Sequence, residues 1–196
     1  MQLSELTHQY APQPNRDSVY VVLHGISEGI SSDFIQNIYK NLVDRGEAVL
    51  AFNWPFLDVG IEPSKDLVDE QAALQSAADF LWGEGYSQLR IVAKSLGGIV
   101  TSRWLQQAPA DLSVEVGILG YVIGDVATAS VADKLKVVVQ GERDRFGSAK
   151  AVERELERGN STATVIEIAD ADHSYRNQAG EPAYQQQAIE QLLQRL

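Results

Sequence analysis

A serine that stands between a strand-like run and a helix-like run is the feature that most restricts the fold of this chain. Residues 93–97 read Ala-Lys-Ser-Leu-Gly, and the apolar run 89–92 stands directly before them. Small residues two positions before and after Ser95 allow the strand and the helix to pack almost backbone to backbone around a strained turn. Such a turn lifts the serine hydroxyl above the end of the sheet, toward the N-terminal end of the helix. Ser95 is therefore the candidate nucleophile.

Two further polar residues, Asp144 and His173, stand just past apolar, strand-like runs later in the chain. Because the carboxyl ends of parallel strands share one edge of a sheet, we expect them to meet Ser95 there. A serine hydroxyl needs a base to remove its proton, and an imidazole that is oriented by a carboxylate supplies one. Asp125 follows the preceding strand-like region and is an alternative acid. Asp144 is favoured because it stands at the end of a strand.

Strand-like and helix-like segments alternate along the chain, which is typical of a mostly parallel sheet covered by helices on both faces. About six strands are expected, and the irregular residues 1–17 could add a short edge strand. The predicted strands are 19–23, 48–52, 89–92, 114–123, 135–140 and 164–168. The predicted helices are 32–45, 66–82, 98–105, 148–159 and a C-terminal helix that begins at Glu181 and Pro182.

The loops predict a shallow and open site. Residues 53–63 form a long loop with two prolines, and residues 124–133 are the other segment that could shape a pocket. No insertion is long enough to fold into a cap domain, so we expect a minimal lid. Three aromatic residues near the expected site are candidates for lining an acyl pocket, namely Trp54, Phe56 and Phe146.

Four short motifs occur in a definite order along the chain. Residues 24–26 read His-Gly-Ile at the end of the first strand, and the serine turn at 93–97 follows. An acid loop at 141–148 reads Gly-Glu-Arg-Asp-Arg-Phe-Gly-Ser, and residues 172–174 read Asp-His-Ser. With these motifs in this order, the chain resembles the α/β-hydrolase family from about residue 18 to the C-terminus. The fit is closest to small, nearly lidless serine hydrolases of the dienelactone-hydrolase-like and testis-expressed-protein-30-like groups.

The resemblance implies a three-layer α/β-hydrolase fold that spans residues 1–196 as a single domain. It also implies that Ser95, His173 and Asp144 form a catalytic triad. The likeness of the acid loop to the family pattern is a further reason to favour Asp144 over Asp125.

The same resemblance implies an oxyanion hole built from backbone N–H groups. One would come from Leu96, at the start of the helix, and the other from the loop after His24, where we choose Ile26. His24 itself is expected to shape that loop. Lys94, beside the candidate nucleophile, is expected to fill space or to pair with a carboxylate, and attraction of an acidic substrate is the less favoured alternative.

Composition argues against several classes of function. The net charge is −11, with 16 Lys and Arg against 27 Asp and Glu, and so acidic a surface repels nucleic acid and anionic lipid. There are no cysteines, and the three histidines are too scattered for a zinc site, so no metal or cofactor is expected. No apolar run approaches the roughly 20 residues that cross a bilayer. The absence of an export signal adds the expectation of a cytoplasmic protein.

Together these observations predict a serine hydrolase that cleaves a small carboxylic ester or thioester through an acyl-enzyme intermediate. A small-molecule acyl substrate is the only partner expected, and the oligomeric state is left open. An amidase or peptidase that uses the same three side chains is one alternative. The other is a non-catalytic binding protein of the same fold, which is disfavoured because a binding module has no need of all three polar groups.

Overall fold

Seven strands form one sheet in the computed structural model, which describes residues 2–196. Successive side chains of a strand face opposite sides of the sheet, so Val19 and Val21 enter one apolar layer while Tyr20 and Val22 enter the other. The strands are β1 (His8–Ala11), β2 (Ser18–Leu23), β3 (Ala48–Phe52), β4 (Gln88–Lys94), β5 (Val114–Leu119), β6 (Leu135–Gly141) and β7 (Thr164–Ile168).

The order across the sheet is β1-β3-β2-β4-β5-β6-β7, and only β1 runs antiparallel to its neighbour. Each pair of parallel strands requires a crossover connection, and helices supply these connections on both faces. The carboxyl ends of β2 and of the strands from β4 to β7 therefore lie along one edge. The loops that leave this edge contain the candidate functional residues.

Helices cover both faces of the sheet and complete three layers, which confirms the predicted architecture. One face is covered by α1 (Asp33–Asp44) and α7 (Gln185–Leu193), whose apolar residues share a core cluster. None of the helices in the described residues is both long and apolar enough to span a membrane. The helices that contribute to the other cluster are α2 (Pro55–Val59), α3 (Val68–Gly83), α4 (Leu96–Leu105), α5 (Thr128–Val131) and α6 (Ala149–Arg158), and two 3₁₀ turns cover Leu3–Glu5 and Lys65–Leu67.

The sheet has seven strands where about six were expected, because His8–Ala11 pairs with β3 at the edge. The strand expected over 114–123 ends earlier, at Leu119. The next residue, Gly120, has φ +71°, a left-handed conformation that ends the extended run.

Two loops also differ from expectation. The proline-containing segment 53–63 includes the short helix α2, because Pro55 occupies its first turn, where a missing N–H costs nothing. The C-terminal helix begins at Gln185 and not at Glu181. The residues before it are held in a turn, in which the backbone N–H of Asn177 donates to the carbonyl of Glu181.

Candidate active site

The turn between β4 and α4 holds Ser95 in a strained conformation, with φ 50° and ψ −108°. A positive φ is unfavourable for a residue with a side chain, and such strain concentrates at functional positions. Gly97 allows α4 to approach β2 closely, because a Cβ at this position would stand 2.8 Å from the Cβ of Leu23. The backbone N–H of Ser95 donates to the carbonyl of Leu119 at 3.0 Å, which ties the turn to β5.

Three polar side chains form one chain of hydrogen bonds above this edge of the sheet. His173 Nδ1 lies 2.7 Å from Asp144 Oδ2, and His173 Nε2 lies 2.9 Å from Ser95 Oγ. Because a carboxylate can only accept, Nδ1 bears the ring proton, and Nε2 is left to accept the serine hydroxyl. The arrangement can therefore take a proton from Ser95 while a carboxylate holds the ring.

The pKa of His173 lies below its ordinary value of 6.5. Burial of the ring is the main cause, and the hydrogen bond that the ring donates to Asp144 opposes it by favouring the protonated ring. The positive charges of Lys94 and Arg145 lower the pKa further. The imidazole is consequently neutral and able to accept a proton at neutral pH.

Asp144 is fixed within the loop that leaves β6. Its side chain is fully buried, and Oδ1 accepts the backbone N–H of Phe146 at 2.8 Å while Oδ2 accepts the imidazole. Asp125, the alternative acid, lies in a different surface cleft beside Gly124 and Val126. Within residues 2–196, Asp125 makes no hydrogen bond to His173, so the geometry brings Asp144 and not Asp125 to the ring.

Two backbone amides at the site lack acceptors. The N–H of Leu96 is the first of α4, where helical geometry provides no partner. The N–H of Ile26 lies in the loop after β2, and within the described residues neither amide donates a hydrogen bond. Ile26 borders the same cleft as Ser95, so both amides are available to an oxygen atom there.

Ser95 opens into a small cleft of about 140 Å³. Among the three aromatic residues expected to line an acyl pocket, only Phe146 does so. Its ring packs edge-on against the His173 ring, with 4.6 Å between the ring centres. Trp54 and Phe56 are instead buried in the core. The cleft is lined by Gly25, Ile26, Ser27, Glu28, Phe34, Ile35, Lys94, Ser95, Arg145, Phe146, His173 and Ser174.

Several of these lining residues were not identified from the sequence. Phe34 and Ile35 match the apolar stripe of α1, and that stripe predicts only that they are buried. Their contribution to the cleft depends on how α1 crosses the sheet edge. Arg145 lies in the acid loop, directly after Asp144. Its place next to Asp144 in the sequence could have predicted that it borders the site.

His24 belongs to the framework of the site. It is fully buried, and its Nδ1 donates to the carbonyl of Gly25 at 2.6 Å. Its Nε2 accepts the backbone N–H of Trp54 at 3.0 Å, and the indole N–H of Trp54 donates to the carbonyl of His24 at 3.0 Å. Burial lowers the pKa of His24 to about 4, so the ring is neutral and joins the β2 loop to the segment after β3.

Lys94 lies beneath the cleft with only 8 % of its surface exposed. Its ammonium makes no ion pair or hydrogen bond to any of the described residues, so the pairing with a carboxylate that was one expectation for Lys94 is not found. Its nitrogen lies 6.0 Å from the centre of the Tyr175 ring. Burial lowers the pKa of Lys94 to about 8, against the opposing charges of Asp144, Glu28 and Asp172.

No group of three or more His, Asp or Glu side chains within residues 2–196 is arranged to hold a metal ion.

The model of a known family, described as an alpha/beta hydrolase domain, matches residues 16–196. The chain belongs to this α/β-hydrolase family. No curated protein sequence matches this α/β-hydrolase significantly. The match to the family model confirms the membership of the α/β-hydrolase family that the four sequence motifs indicated.

Solved structures resemble this α/β-hydrolase over nearly its full length. The protein of unknown function ATU1826 from Agrobacterium tumefaciens has a TM-score of 0.77 and 15 % identity, over 96 % of this chain and 90 % of its own. XC6422 from Xanthomonas campestris, described as a serine hydrolase without lid, has a TM-score of 0.67 and 18 % identity, over 95 % and 88 %. The esterase Pf2001 from Pyrococcus furiosus has a TM-score of 0.66 and 15 % identity, over 97 % and 87 %. Likeness at this level of identity shows the fold.

Proposed function

We propose that this protein is a serine hydrolase that cleaves a small carboxylic ester or thioester through an acyl-enzyme intermediate. The observation that carries the proposal is the continuous hydrogen-bond chain from Ser95 through His173 to Asp144 at the mouth of a cleft. The description of one structural neighbour as a serine hydrolase and of another as an esterase is consistent with this proposal.

In the first step, Ser95 Oγ attacks the carbonyl carbon of the substrate while its proton passes to His173 Nε2. A carbon–oxygen bond to the enzyme forms, and the carbonyl oxygen becomes an oxyanion. The backbone N–H groups of Leu96 and Ile26 are the proposed donors to that oxyanion, since neither has an acceptor within the described residues.

Collapse of the oxyanion breaks the bond to the alkoxide or thiolate leaving group, which takes the proton from His173. Water then attacks the acyl-enzyme with His173 again as the base, and the carboxylic acid leaves with Ser95 regenerated. Asp144 takes no part in the proton transfer; it holds the tautomer of the ring and stabilises the imidazolium.

The size and openness of the site support a small acyl group. The cleft has a volume of about 140 Å³, and its apolar wall is formed by Phe34, Ile35 and Phe146. Phe34 and Ile35 replace Trp54 and Phe56 in the proposed acyl pocket, and Phe146 keeps the position expected for it. A long acyl chain would extend from such a cleft into water and would gain little from burial.

Labelling with a fluorophosphonate probe tests the proposal directly. The wild-type protein should form a covalent adduct at Ser95, and Ser95→Ala should form none. Nitrophenyl esters, thioesters and anilides of the same acyl group then separate an esterase or thioesterase from an amidase or peptidase. Absence of both labelling and turnover in the folded wild-type protein would favour a non-catalytic binding protein.

A further inference from the structure

Two cationic side chains border the cleft without an ion-pair partner, in a protein whose net charge is −11. Lys94 and Arg145 both line the cleft, and neither forms an ion pair with any of residues 2–196. The carboxylate that lines the same cleft, Glu28, lies 3.9 Å from the guanidinium of Arg176. The side chains that line the cleft thus carry two positive charges and one negative charge, whereas acidic groups outnumber basic ones in the protein as a whole.

Lys94 is unusual because it is largely buried and has no acceptor. Burying an ammonium without a hydrogen-bond partner is costly, and an apolar side chain of similar length would fill the same space without that cost. The side chain ends beside Gly120, where a Cβ would stand 3.0 Å from the nitrogen of Lys94 and 2.8 Å from Cε1 of His173. The ammonium thus lies next to the imidazole that would contact the reacting group.

Arg145 approaches the same cleft from the rim. Its guanidinium carbon lies 4.7 Å from the centre of the Phe146 ring, and that ring in turn contacts His173. Stacking on an aromatic face orients the guanidinium while leaving its N–H donors open to an anion. One buried and one exposed cation are therefore available on the border of a cleft that also contains the serine.

We propose that the substrate carries a carboxylate as well as the ester or thioester, and that Lys94 and Arg145 bind that carboxylate. The inference rests on the proposed function and names the substrate class for the same site. An ionised carboxylate supplies the acceptors that the Lys94 ammonium lacks, and a charge-assisted hydrogen bond in a partly buried site is among the stronger ones. The bonds that form and break at Ser95 are unchanged.

A matched pair of substrates tests this proposal. 4-Nitrophenyl hydrogen adipate has a terminal carboxylate, and 4-nitrophenyl methyl adipate has the same chain with that charge masked. Nitrophenol release gives kcat/KM for each, and we expect the wild-type protein to prefer the acid about tenfold or more. Lys94→Met should lower this preference by about tenfold, and Arg145→Gln should lower it by a smaller factor because Arg145 is exposed.

Lys40→Met is the matched control, since Lys40 lies on the exposed face of α1 and its loss changes the net charge equally. It should retain the wild-type preference. The ratio of the two substrates cancels any effect that Lys94→Met has on the triad alone. A variant in which both rates fall by the same factor would overturn the proposal and make Lys94 a positioning residue.

Binding gives a readout that does not depend on turnover. Adipate titrated calorimetrically into Ser95→Ala should bind, and the affinity should fall about tenfold or more when Lys94→Met is added. A wild-type protein that cleaves the two esters at equal rates would overturn the carboxylate proposal and leave the hydrolase proposal standing. A protein that binds adipate through Lys94 but takes no fluorophosphonate label would overturn the hydrolase proposal and leave the carboxylate-binding site standing.

Discussion

Two histidines at this edge of the sheet, His24 fully buried and His173 partly buried, have the same tautomer and different partners. In both rings Nδ1 donates a hydrogen bond to an oxygen and Nε2 accepts a hydrogen bond. His24 is held between backbone groups of Gly25 and Trp54, whereas His173 is held between the side chains of Asp144 and Ser95. Burial lowers the pKa of both. Burial and a lowered pKa therefore do not distinguish the histidine proposed to be the base from the structural one. The hydrogen-bond partners of each ring do.

The largest expected effect is the loss of activity on removing the His173 ring, which removal of the His24 ring should not reproduce. His173→Ala should lower kcat for a nitrophenyl ester by about 10⁶-fold, because Ser95 then has no base, and combining it with Ser95→Ala should cost little more. Thermal unfolding of His173→Ala should remain near that of the wild type, since the ring lies at the cleft surface. Retention of more than about a hundredth of the wild-type rate would remove His173 from the proposed mechanism.

The next effect concerns the carboxylate that distinguishes His173 from His24. Asp144→Asn should lower kcat by about 10⁴-fold, because an amide in that place favours the wrong tautomer of His173. Asp125→Asn is the matched control and should change kcat by less than about twofold. The opposite result, in which only Asp125→Asn is inactive, would require a rearrangement of the loop after β5.

His24→Ala should affect stability more than turnover. It leaves the N–H of Trp54 without an acceptor and opens a cavity in the core, with an expected cost of about 3 kcal/mol in the free energy of unfolding. Urea denaturation monitored by tryptophan fluorescence measures this cost. The activity of the folded variant should stay within about tenfold of the wild type, and a larger loss would give His24 a part in the chemistry.

The pH dependence of stability provides a second test of His24. Its pKa is about 4 in the folded protein and 6.5 ordinarily, so the unfolded state binds the proton more readily below pH 6.5. The contribution of the neutral His24 ring to the free energy of unfolding is complete above pH 6.5. It is lost as the pH falls toward 4, by up to about 3 kcal/mol. His24→Ala should remove this part of the pH dependence, whereas His8→Ala, at an exposed ring, should retain it.

The same comparison shows what the sequence could predict. Ser95, Asp144 and His173 could be placed together because parallel topology brings strand ends to one edge, and each residue lies just past a strand. His24 also lies just past a strand, so its position alone could not separate the two histidines. Their difference depends on Trp54, whose indole turns back into the core to contact the backbone of His24.

The cleft was harder to predict than the three polar residues. Its apolar wall comes from Phe34 and Ile35 on α1, and a helical stripe shows which side chains are buried but not what they face. The loop that includes Trp54 and Phe56 was expected to border the site. The short helix α2 directs both rings into the core instead, and two prolines in a loop do not reveal that direction.

The smallest expected effect is a shift in the acid limb of the activity profile. For a neutral ester, kcat/KM should fall tenfold per pH unit once His173 is protonated, with a midpoint below pH 6.5 because burial lowers the pKa of the ring. The charged groups that act on the ring are Asp144, Lys94 and Arg145. Lys94→Met removes a positive charge that disfavours the imidazolium, so its midpoint should move to higher pH. A midpoint unchanged in Lys94→Met would mean that the ammonium acts on the bound molecule and not on the imidazole.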